Sequence, residues 1–261
     1  MAIVNATPDS FYSLSRTQSH AAVTERVREA IAEGASIIDI GGYSSRPDAE
    51  DVAVEEEWNR VEMALKATRE VSSDIAISVD TFRAEIVRRV VAQFGEVIVN
   101  DITAGNGDDE MLATVAELGV PYVAMHMRGT PQTMQKQSEY ADVVADVVAE
   151  LGERLQAIEK AGIDLKRVAL DPGFGFAKTT EQNFALLAGL HKLKALGQPL
   201  LVGVSRKSMI YKTLGITPEE SLSATQVAHW EALRQGATLL RVHDVKEAVE
   251  TIKLYEKFTE L

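Results

Sequence analysis

The sequence contains no cysteine. That absence excludes disulfides, thiolate metal sites and a cysteine nucleophile, and it fits a reducing compartment, so a cytoplasmic setting is expected. No apolar run approaches the roughly 20 residues of a membrane span, and no basic-plus-apolar leader opens the chain, so neither a membrane nor a secretory route is expected. A cationic surplus is missing too. Lys and Arg number 27 against 39 Asp and Glu, for a formal net charge of −12. Binding a nucleic-acid backbone needs clustered cations across a face, so no nucleic-acid partner is expected.

What is present is ordinary for a globular chain: 46% hydrophobic and 25% charged residues over 261 positions. The whole length, 1–261, is expected to form one domain that starts directly at its first strand. α/β barrels routinely reach this size as single domains. Short apolar runs recur at Ile3-Val4, Ser36 to Ile40, Ile75 to Val79, Val97 to Val99, Tyr122 to Met125, Val168 to Leu170, Leu200 to Val202 and Thr238 to Val242. Their β-branched, near-continuous hydrophobicity suits strands buried on both faces. Helical spacing fills the intervals. Val54, Trp58, Val61 and Leu65 form one such stripe, and Val144, Val148, Leu151, Leu155 and Ile158 form another. Gly34, Gly119, Gly162 and Gly236 each stand shortly before a strand, as helix stops do. Eight strands alternating with helices indicate an α/β fold of the (β/α)8 TIM-barrel type, with an open doubly wound sheet as the alternative.

In a barrel the chemistry sits at the C-terminal strand ends. Those ends read Asn5, Asp39, Asp80, Asn100, His126, Asp171, Ser205 with Lys207, and Arg241 with His243. They divide by charge. Asp80, Asn100 and Asp171 offer acceptors and one amide, which suits a flat heterocycle rich in N–H donors. Lys207, Arg241 and His243 come from the last two strands, where barrels frequently hold phosphate. Arg241 and His243, two residues apart, point to one side and can converge on one anion; the plainer reading is a solvated strand end with Asp244 capping the next helix. The loop Asp171 to Lys178 combines glycines, which admit close backbone approach, with Phe174 and Phe176, which can flank a planar ring. His20, His191 and His229 lie in helical stretches and read as structural or solvated.

Taken in order, Asn5-Ala6-Thr7-Pro8-Asp9-Ser10-Phe11, Ser45-Arg46-Pro47, Ser78-Val79-Asp80-Thr81, Asn100-Asp101-Ile102, His126-Met127-Arg128-Gly129, Asp171 to Lys178, Ser205-Arg206-Lys207-Ser208 and Arg241-Val242-His243-Asp244 closely resemble the motifs of the dihydropteroate synthase family. That family joins 6-hydroxymethyl-7,8-dihydropterin diphosphate to p-aminobenzoate, releases pyrophosphate and is the target of sulfonamides. The resemblance implies that Asp80, Asn100 and Asp171 hold the pterin, with Ile102 and Met127 lining its pocket. It places Lys207, Arg241 and His243 on the diphosphate, and it makes Lys207, Asp80, Arg241 and His243 the catalytic group. Ser45, Arg46, Pro47, Phe176, Lys207 and Ser208 would bind p-aminobenzoate, Ser45 also touching the pterin diphosphate. Asn5 would hold the Mg²⁺ that accompanies the diphosphate, and a homodimer is typical of the family. The chain departs from the family pattern in its first loop, where Ser13 stands in place of a carboxylate, and at Ser45 and Asp48 in the second.

Other readings of these residues are a Schiff-base aldolase using Lys207, a methyltetrahydrofolate-type pterin methyltransferase, and a pterin-binding paralogue without synthase activity. The methyltransferases would not be expected to carry Ser205 to Ser208 or the Arg241/His243 pair.

Overall fold

The computed structural model describes residues 1–6, 20–44 and 51–260. The apolar runs become strands β1 (Ala2–Asn5), β2 (Ile37–Gly41), β3 (Ala76–Asp80), β4 (Ile98–Asp101), β5 (Tyr122–Met125), β6 (Val168–Asp171), β7 (Leu201–Val202) and β8 (Leu239–Leu240). Among the described residues the helices are α1 (His20–Ala32), α2 (Val54–Val71), α3 (Ala84–Phe94), α4 (Met111–Leu118), α5 (Val143–Lys160), α6 (Thr180–Ala188), α7 (Ser208–Leu214), α8 (Leu222–Gln235) and α9 (Val245–Thr259).

Strands β1 to β6 pair in sequence order, each parallel to the next, and β7 pairs with β8. Two parallel bridges, Leu170 with Leu200 and Ala2 with Val242, join these sheets at both edges. Backbone bonds from Ile3 N to Val242 O and from Val242 N to Met1 O, both 2.9 Å, seal the last seam. The sheet is therefore a closed barrel, and the open doubly wound alternative is excluded.

The periodic stripes bury as their spacing requires. Val61 and Leu65 are buried faces of α2, and Val144, Leu151, Leu155 and Ile158 are buried on α5. Asp142 caps α5 through the amides of Val144 and Ala145, at 2.9 and 3.2 Å. The four glycines read as helix stops all have positive φ. At Gly119, φ 63° lets the chain leave α4 while its amide still bonds Val115 O; a side chain there would clash with its own backbone.

Alternation along each strand separates two cores. Ile38, Ile40, Val79, Val99, Leu170 and Val202 face outward, against Val23, Val27, Leu65, Ile86, Leu151 and Ile158 of the helices. Met1, Val123 and Leu201, with Ile37, Ile98, Ala169 and Leu239, pack inside the barrel. Two residues further along the same inward face come Asp39, Asn100, Met125, Asp171, Gly203 and Arg241. The interior thus changes from apolar to charged within one strand repeat, and that change positions the site. No helix among the described residues is long and apolar enough to cross a membrane.

Candidate active site

Arg241 lies between two carboxylates. Its Nε donates to Asp39 Oδ2 and its Nη2 to Asp80 Oδ2, each at 2.7 Å. Asp39 is fully buried, and its other oxygen accepts from Asn100 Nδ2 at 3.4 Å. The residues assigned to opposite halves of the ligand, Asp80 to the ring and Arg241 to the phosphates, are therefore bonded to each other here. Burial drives the Asp80 carboxyl up to about 7, against the pull of Arg241 and with Asp39 adding to the rise. Burial works against the charge on Arg241, but Asp39 and Asp80 hold it protonated, above its ordinary range.

His243 is not a second cation. Burial, reinforced by Arg241, lowers its imidazole to about 3. It is neutral at physiological pH, with Nδ1 3.1 Å from Ser205 Oγ, and it serves as a hydrogen-bonding group beside Arg241. Lys207 keeps a charge-bearing role. Its ammonium donates to Phe174 O and sits 4.7 Å over the Phe176 ring. Burial lowers it to about 8, with Asp171 opposing. Phe174 is fully buried and is a core residue; only Phe176 is left to offer a ring face. Asp171 Oδ1 accepts from Gly173 N at 2.7 Å, and burial raises its carboxyl above the usual range while Lys207 lowers it.

The strand-end reading of Asp244 as a helix cap is corrected. It occupies the cap position of α9 without a side-chain cap bond. Its carboxylate instead takes a bidentate pair from Arg206, both contacts at 2.8 Å. Arg206 also donates to Pro218 O and Glu219 O, at 2.7 and 2.9 Å. This arginine thus ties the exit of β7 to the segment before α8.

A cavity of about 550 Å³ opens at the barrel mouth, and its walls include Asn5, Asp80, Phe176, Lys207, Ser208, Arg241 and His243. Seven residues singled out in the sequence thus share one space. Asn100 and Asp171 are almost wholly buried, at 3% and 6% exposure, on strand ends next to it. Ile102 is buried just past β4. Met127 lines a second cavity of about 470 Å³ with Tyr43, Phe82 and Thr103, and Tyr43 lines the larger cavity as well. Ser13, Ser45, Arg46 and Pro47 lie outside the described residues.

Sequence reasoning gave no role to Asp39 or Lys178. Asp39 was placed at a strand exit, but it is the middle residue of β2; its parity with Ile37 was the signal that turned it inward. Lys178 lines the cavity at 6% exposure. A lysine at the end of a glycine loop gives no hint in sequence that it will be buried.

A closed parallel barrel whose inward residues turn charged at the C-terminal strand ends defines a small-molecule enzyme site. The sequence matches the pterin binding enzyme family over residues 1–243, and the chain belongs to that family. Its relatives include proteins named dihydropteroate synthase. The Escherichia coli K12 enzyme of that name is 43% identical over 259 residues, covering 98% of this chain and 90% of its own. The Xanthomonas albilineans dihydropteroate synthase solved in complex with 7,8-dihydropteroate is 39% identical with a TM-score of 0.86, over 100% of this chain and 93% of that one. A Yersinia pestis dihydropteroate synthase with a sulfonamide drug complex has a TM-score of 0.95 at 35% identity, over 100% and 94%.

Proposed function

We propose that this chain catalyses the dihydropteroate synthase reaction of folate biosynthesis, forming 7,8-dihydropteroate and pyrophosphate from 6-hydroxymethyl-7,8-dihydropterin diphosphate and p-aminobenzoate. The observation that carries the reading is the junction of Asp80, Lys207 and Arg241 on one cavity wall, in a chain 43% identical to a protein of that name.

The reaction forms a C–N bond from the arylamine to the pterin methylene and breaks the C–O bond to the diphosphate. The arylamine is a modest nucleophile, so departure of the diphosphate leads and positive charge builds on the pterin. Arg241 and Lys207 stabilise the negative charge growing on the leaving group. His243, being neutral, donates or accepts a hydrogen bond beside them. Asp80, Asn100 and Asp171 hold the pterin, and the two carboxylates offset its charge. Phe176, Ser208 and Lys207 provide the arylamine side, with Ser45, Arg46 and Pro47 completing it. Sulfonamides, as arylamine mimics, compete there.

The donor set at the mouth fits a magnesium ion carried in with the substrate. Among the described residues no cluster of three His, Asp or Glu is placed to hold a metal. Mg²⁺ commonly takes one or two protein oxygens and completes its shell from substrate phosphates and water, and the Asn5 amide on the cavity wall would supply such an oxygen. The ion would neutralise diphosphate charge. A homodimer through the outer helices is the proposed assembly; exposed Val227 on α8 and exposed Leu254 and Phe258 on α9 support it. The acidic balance supports small-molecule substrates over nucleic acid, and the lack of cysteine supports a cytoplasmic setting.

Pyrophosphate release from the pterin diphosphate, dependent on both p-aminobenzoate and Mg²⁺, tests the reading. Binding of the pterin diphosphate with no dihydropteroate formed would overturn it in favour of a pterin-binding protein without synthase activity.

A further inference from the structure

One buried network touches the cavity without belonging to the proposed chemistry. Lys178 Nζ is 3.0 Å from each of three acceptors: Gly173 O, Phe176 O and His126 Nδ1. On the far side of the imidazole, His126 Nε2 is 2.9 Å from Glu150 Oε2 on α5. Arg128 braces the same carboxylate through Nε, 3.0 Å from Oε1, and its guanidinium lies 3.9 Å over the Tyr140 ring.

The lone pairs along this line fix where its protons sit. The bonds from His126 and Arg128 hold the Glu150 carboxyl down to about 2, so it is an acceptor only. His126 must then present Nε2–H to it. Burial disfavours the imidazolium, so Nδ1 is an acceptor and needs a donor. Lys178 supplies that donor, and only an ammonium has the three N–H groups its three partners require. Burial lowers Lys178 to about 7, with the charges of Asp171 and Glu150 opposing.

The two carbonyls held by Lys178 flank Phe174, whose own carbonyl receives Lys207, and one of them belongs to Phe176, whose ring lies under the Lys207 ammonium. The turn is forced as well as pinned. A Cβ at Gly173, with φ +71°, would sit 1.9 Å from His126 O. Gly175 N donates to Asn183 Oδ1 at 2.7 Å, fixing the other half. The turn is therefore held at Gly173, Gly175 and Phe176, and Lys178 bonds carbonyls at both its ends.

We infer that Lys178 is a positioning residue for the synthase site: through the line Lys178–His126–Glu150 it anchors the 173–176 turn to α5, and so sets the place of Lys207 and the Phe176 ring. This rests on the proposed reaction for its kinetic consequence, but not for its structural one. Misplacing a substrate-positioning group by an ångström can lower turnover by about 10²-fold.

The test uses the full chain, with Glu150→Gln and Lys178→Met. Nitrogen-15 NMR of the histidines should show His126 as the Nε2–H tautomer in the parent. Glu150→Gln, whose amide can donate to Nε2, should move the proton to Nδ1 and set it against Lys178. Both variants should speed hydrogen exchange across residues 173–178 and lower kcat/KM for p-aminobenzoate, by up to about 10²-fold for Lys178→Met. An Nδ1–H tautomer in the parent, or unchanged exchange and unchanged kcat/KM in Glu150→Gln, would overturn the inference. A parent without synthase activity defeats the proposed function alone, because the tautomer and exchange readings remain. If Lys178→Met does not fold, Glu150→Gln decides.

Discussion

Replacing Arg241 with methionine isolates the energetics of the charged layer inside the barrel. The side chain keeps an apolar stem of similar reach but leaves Asp39, fully buried, and Asp80, 17% exposed, without their shared cation. Removing one partner of a buried ion pair costs about 3–5 kcal/mol. At about 2–4 °C per kcal/mol for a chain of this size, the melting point should fall by roughly 6–20 °C. The pH dependence makes the prediction specific. Folded Asp80 keeps its proton to about 7, against an ordinary value of 3.8, so its contribution to stability is lost as pH rises through that window. Without Arg241 the proton is held to still higher pH. The gap between variant and parent should therefore widen above pH 7, by up to about 1.4 kcal/mol per unit. Urea midpoints followed by circular dichroism at about pH 6 and about pH 8.5 read this directly. A loss that is the same at both pH values, or below about 1 kcal/mol, would refute the account.

Gly173→Ala should be far more damaging than Gly119→Ala, although both positions have positive φ. The first puts a Cβ 1.9 Å from a backbone oxygen and the second meets nothing within 4 Å, so a cost of about 1–2 kcal/mol is expected at Gly119 and loss of soluble protein at Gly173; thermal shift and yield check this. Arg206→Ala should cost about 3–5 kcal/mol, since it strands the mostly buried Asp244, and limited proteolysis should then cut near Pro218. Lys207→Ala should lower kcat/KM by about 10²-fold or more, whereas Arg28→Ala, whose partner Glu25 is equally exposed, should leave it unchanged. Equal activities in that last pair would remove Lys207 from the site.

The barrel was legible because its signal is redundant. Eight apolar runs and four glycine stops agree with one another, and single errors of a residue at a boundary do not disturb the order. Closure was not legible. It depends on Ala2 meeting Val242, a contact between sequence ends that no periodicity encodes. The site residues were found by type and position, but their pairing was not. Arg241 and His243 looked like two cations because a sequence does not carry burial, and burial is what makes one of them neutral. Asp39 was missed as a partner because a polar residue amid Ile38 and Ile40 reveals its side only once the strand's register is fixed. Lys178 was missed for a related reason: its three acceptors are two loop carbonyls and a histidine 52 residues away.

The Arg241 junction also bears on selectivity. Asp80 and Arg241, the groups proposed to meet the two ends of the substrate, are partners of each other, and Asp39 shares the guanidinium. Under the proposed function, phosphate oxygens would meet Arg241 while ring N–H groups meet Asp80, exchanging the bond between the two residues. A molecule with only the phosphate leaves Asp80 without that partner, whereas Arg241 keeps its bond to Asp39 when only Asp80 is engaged. The intact bifunctional molecule proposed as substrate is the one that offers new partners to both Asp80 and Arg241.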